Sequence, residues 1–65
     1  MSDVEYFARR AGEERQAAYN AETLSVRLRH VEFAQAYELR VREMLALQRR
    51  AEFRVIEDLT IATAA

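Results

Sequence analysis

One histidine, His30, is the only residue of this 65-residue chain whose side chain ordinarily titrates near neutrality. A catalytic or metal-binding imidazole needs companions. The Glu-x-x-His spacing of di-iron helical bundles would put a Glu at position 27, but Arg27 stands there, with Val26 before it. The chain contains no Cys, which excludes disulfides and thiolate metal sites. Nucleophile elbows, phosphate-cradling Gly loops and Cys/His clusters are absent from the sequence. His30 therefore reads as an interfacial residue, with a pH-sensitive contact as the functional alternative. No catalytic residue, cofactor or metal is expected, and the sequence points away from an enzyme.

The other charged groups suggest contacts rather than chemistry. All ten basic residues are Arg, which makes bidentate and stacked contacts better than Lys does. A codon bias toward Arg is the blander explanation. Residues 1–22 carry five acids and three Arg, residues 23–50 six Arg and three acids, and residues 51–65 one Arg and three acids. The basic middle could face an acidic partner, including the ends of another copy. A nucleic-acid-associated regulator using that middle is the alternative function. Against it, acids at 32, 38, 43, 52 and 57 interleave with the Arg residues, whereas a basic stripe is the usual footprint. Glu13-Glu14 and Arg49-Arg50 read as pairs on solvated faces.

These groups must be positioned by helices. The run from Leu24 to Leu59 holds no Pro and no Gly. One row follows steps of three or four: Val26, His30, Phe33, Tyr37, Val41, Met44, Gln48, Ala51, Val55, Leu59. Gln48 is the polar member that could fix register. A second row, Leu24, Leu28, Val31, Gln35, Leu39, Arg42, Ala46, Phe53 and Ile56, occupies another face. A helix apolar on two faces needs two partners.

The first partner is a shorter helix from about Asp3 to Asn20. Ser2-x-x-Glu5 has the form of a capping box. The apolar row Val4, Phe7, Ala8, Ala11 and Ala18 is narrow and mostly Ala, with Tyr6 pointing away from it. Glu5 and Arg9 form a favourable i, i+4 pair. Gly12 reads as a tight contact or simple tolerance, with a kink as the alternative. Asn20-Ala21-Glu22-Thr23 is the candidate turn, with Asn20 in a left-handed conformation and Thr23 or Ser25 capping the next helix. A single helix running through is the alternative.

Tyr6-Phe7-x-Arg9-Arg10-Ala11-x-Glu13-Glu14, followed by His30-x-Glu32-x-Ala34-x-x-Tyr37, resembles a pattern in small uncharacterised α-proteobacterial helical-hairpin proteins. The likeness covers residues 4–40. It implies a helical hairpin and brings neither an activity nor site residues.

The expected structure is a single all-α domain over residues 1–65. It has a short helix at about 3–20, a long one at about 24–59 and a frayed tail at 60–65. The expected hairpin core is Val4, Phe7, Ala11, Ala18, Phe33, Tyr37 and Val41. Folded back, the first helix covers the second only to about Arg42. Met44, Leu47, Ala51, Phe53, Val55, Ile56 and Leu59 are then left for an interface. So small a chain rarely sustains a core alone. The expectation is a homodimer or higher oligomer, a coiled-coil or four-helix-bundle interaction or regulatory protein, with another protein as a further partner. Antiparallel pairing is favoured, since parallel pairing stacks Arg49-Arg50 on its own copy. No apolar stretch is long enough to span a membrane, and the acidic N-terminus does not resemble a signal peptide, so the expected location is cytoplasmic.

Overall fold

The computed structural model describes the backbone of residues 1–64 and the side chains of residues 1–54. It contains two helices, α1 over Asp3–Asn20 and α2 over Leu24–Ala64, folded back on each other as a hairpin. The molecule extends 64 Å along its longest axis and 21 and 11 Å across it. At about 1.5 Å per residue, α1 is about 27 Å long and α2 about 61 Å.

The caps follow from the sequence. The Glu5 amide donates to Ser2 Oγ at 3.2 Å, which satisfies one of the orphan donors at the start of α1. Asp3 and Glu5 lie at the positive end of the helix dipole. At the start of α2, the Val26 amide donates to Thr23 Oγ1 at 3.2 Å. The turn itself differs from expectation. No residue among those described, Asn20 included, has a positive φ. Helix α1 instead ends at Ala21, in extended conformation (φ −67°, ψ 137°). A left-handed cap is unnecessary because Arg27 reaches back from α2. Its Nε donates to the Ala18 carbonyl at 3.1 Å, and its terminal nitrogen donates to the Ala21 carbonyl at 3.4 Å. A cation at the end of α1 also suits the negative end of the helix dipole. At the far end, α2 continues to Ala64, past the expected boundary at Leu59.

Three alanines form the buried centre: Ala11 and Ala18 from α1 and Ala34 from α2. Val4, Phe7, Tyr37 and Val41 are half-buried around them, as is Met44 farther along α2. Phe33, expected in the hairpin core, lies outside it. Phe33 is 50% exposed, while its neighbour Ala34 is fully buried at 0%. Neighbouring positions on a helix point about 100° apart, and a row of three- and four-residue steps can start on either. The choice is steric. Helices that meet through Ala approach closely, and a phenyl ring on the line of closest approach would hold them apart. Ala8, also expected inside, is exposed beside Gly12. Helix α1 runs unbroken through Gly12, and a Cβ built there would meet nothing within 4 Å. Gly12 therefore marks open space rather than a tight contact within the hairpin.

Two substitutions separate the neighbouring positions. Ala34→Leu should overpack the closest approach and cost about 1–3 kcal/mol. Phe33→Ala should cost less than the roughly 3–5 kcal/mol of a fully buried Phe. Thermal melts followed by circular dichroism check this. A larger loss from Phe33→Ala than from Ala34→Leu would put the wrong residue on the contact line.

Candidate functional site

The side chains with chemistry gather where α1 and α2 meet. Positions 7, 10, 11 and 14 fall on the inner side and one edge of α1, and positions 30, 34, 37 and 41 on the matching side of α2. The antiparallel turn brings these together. Glu14, expected on a solvated face, leaves only 12% of its side chain exposed. One of its carboxylate oxygens accepts from the Arg10 guanidinium at 2.7 Å. The other lies 2.6 Å from His30 Nδ1. An ionised carboxylate can only accept, so Nδ1 of His30 carries the hydrogen of that contact. Arg10 also pairs with Glu13 and lies 5.3 Å from the centre of the Tyr37 ring. Tyr37 in turn packs against Phe7, with ring centres 5.9 Å apart. The Tyr6 ring stands edge-on to Phe7, 41% exposed, with Arg9 over it.

The opposite edge carries a second tie. Arg15 donates to Glu38 through two nitrogens, at 3.0 and 2.7 Å, a bidentate pair joining α1 to α2. Arg9 pairs with Glu13 at 3.6 Å, where the sequence suggested Glu5. The hydrogen bond from His30, followed by that from Arg10, holds the Glu14 carboxyl below its ordinary value, against partial desolvation. The hydrogen bonds from Arg15 do the same for Glu38, with the charge of Arg42 assisting.

This constellation holds two helices together. Among the described residues, no buried side-chain nitrogen or oxygen lacks a hydrogen-bond partner. Among them too, no group of three His, Cys, Asp or Glu could hold a metal ion. His30 and Glu14 form a pair, and both carboxylate oxygens of Glu14 are engaged within the hairpin. No described helix is long and apolar enough to cross a membrane.

The residues expected at an interface lie on α2 outside this constellation. Leu47 and Phe53 are 61% and 65% exposed, and Ala51 is exposed. Met44 is half-buried on the face that carries Tyr37 and Val41. The side chains of Val55, Ile56 and Leu59 lie outside the described residues. Leu24, Leu28 and Leu39 of the second row are likewise more than half exposed. Beside that row runs a groove between the helices, lined by Ala8, Ala11, Gly12 and Arg15 of α1 and by Glu38, Val41 and Arg42 of α2, with Ala11 at its buried base. Sequence reasoning missed Glu14, Arg15, Glu38 and Ala34. Each becomes visible only when the faces of both helices are known. Compared with known proteins, the chain matches no family model, no curated protein and no solved structure significantly.

The two lowered carboxyls set a pH dependence. The unfolded chain takes up protons near the ordinary carboxyl value of 4.5, the folded chain only at lower pH. Their contribution is thus fully present above about pH 4.5 and is lost as pH falls through the folded values. Melting midpoints should drop below that pH. The drop should be shallower when Glu14→Gln and Glu38→Gln are combined. An identical pH profile for this double variant would remove the two ties from the stability of the hairpin.

Proposed function

We propose that the chain is a small non-enzymatic protein–protein interaction module that works as a homo-oligomer. The observation that supports this is surface area. The chain exposes 5547 Å², whereas a compact folded monomer of 7.6 kDa exposes about 4300 Å². The excess of about 1250 Å² exceeds the roughly 800 Å² that each partner gives to a standard interface. Much of what is exposed on α2 is large and apolar: Leu24, Leu28, Leu39, Leu47 and Phe53. Each such side chain contributes about 1.5–3 kcal/mol when buried, and several together offset the entropy of association.

Self-association also supplies what the hairpin lacks. Its buried centre is made of Ala side chains, which contribute little burial energy. Nucleic acid is the weaker partner class. Arg10, Arg15 and Arg27 already hold carboxylates or carbonyls within the hairpin, and Arg9 and Arg40 pair with Glu13 and Glu43.

Sedimentation equilibrium at micromolar concentration should give a mass of at least twice 7.6 kDa. A monomer that melts cooperatively would refute self-association.

A further inference from the structure

We infer that a second copy seats in the groove between α1 and α2, with the two α2 helices antiparallel about a two-fold axis at the level of Met44 along α2. This rests on the proposed self-association and assigns it a surface and an orientation.

Length is the first support. The part of α2 beyond Glu43 runs to Ala64, about 31 Å, close to the 27 Å of α1. Two α2 helices paired about Met44 therefore lay each overhang along the hairpin half of the other copy. Helix α1 already covers one side of that half, so the overhang becomes its second neighbour. The pairing is isologous and closes as a dimer.

The second support is where the exposed row lies. Glu38 and Arg42 line the groove. Leu28 and Leu39, exposed, and Val31 and Ala46, half-buried, all lie in a stripe within about 60° of Arg42 around the α2 axis. The stripe continues into the overhang at Phe53, which is exposed. One surface can thus supply both halves of a self-complementary contact. On the α1 side the groove is bordered by Ala8 and Gly12, both exposed, and space stands open above Gly12. Small residues there let a third helix come close.

Charge is the third support. Antiparallel pairing about Met44 sets Arg49 and Arg50 of one copy about 15–18 Å along the axis from those of the other. Parallel pairing would set each Arg beside its own copy and repel.

Gly12 gives a selective test, because a Cβ there has open space within 4 Å and a larger side chain projects into the groove that the second copy would fill. Gly12→Trp should keep the helical circular dichroism of the parent and weaken dimerisation by about tenfold or more. Asn20→Trp, placed at an exposed position of α1 turned away from the groove lining, should dimerise like the parent. Phe53→Glu, outside the hairpin contact, should weaken dimerisation too, and it decides the matter if Gly12→Trp fails to fold. A Gly12→Trp or Phe53→Glu chain that folds and dimerises as tightly as a dimeric parent overturns the groove as the seat. A parent that is monomeric alone, whether or not it pairs with a different protein, overturns the self-association itself.

Discussion

The close approach of α1 and α2 through Ala11, Ala18 and Ala34 governs the rest of this molecule. Alanine lets two helix backbones come near each other without loss of side-chain entropy. It also buries little apolar surface, so the hairpin gains less from its centre than a Leu- or Phe-filled core would give. Larger side chains are displaced to the edges of the contact, where Phe7 and Tyr37 pack at half exposure and Phe33 lies largely outside. The alanine contact thus creates the need for other ties.

Two kinds of polar tie answer that need. Arg27 ends α1 by binding its last carbonyls, which closes the turn without Gly, Pro or a left-handed residue. Glu14–His30 and Arg15–Glu38 join the helices along opposite edges. A Glu14 held between Arg10 and His30 fixes the rotation of α1 about its axis, since a turn of one residue would carry it out of reach. Such pairs specify geometry more than they add stability, because Arg15 and Glu38 stay exposed to water and desolvation offsets part of the gain at Glu14.

The second constraint is unequal length. Helix α2 is more than twice as long as α1, and it carries apolar residues on faces that α1 does not cover. A thin rod 64 Å long cannot bury those residues by itself. A partner of similar helical length can, at the cost of ordering only surfaces that are already helical. Because the overhang is pre-formed as helix, association pays little for folding it.

The sequence by itself determined the two helices and the place of the turn, though not how the turn closes. Ser2, Glu5 and Thr23 mark where the helices begin, and the absence of Gly and Pro after Gly12 carries α2 across its length. Unequal helix lengths and two apolar rows on α2 are equally legible, because each depends only on spacing along one helix. The tertiary structure decided which row meets α1 and which side chain lies on the contact line. Choosing Ala34 over Phe33 depends on how near two backbones can come, a property of both helices together. The same holds for Glu14 and Glu38. Their partners lie 16 and 23 residues away in the chain, and only the rotation of each helix about its axis brings opposite charges into reach.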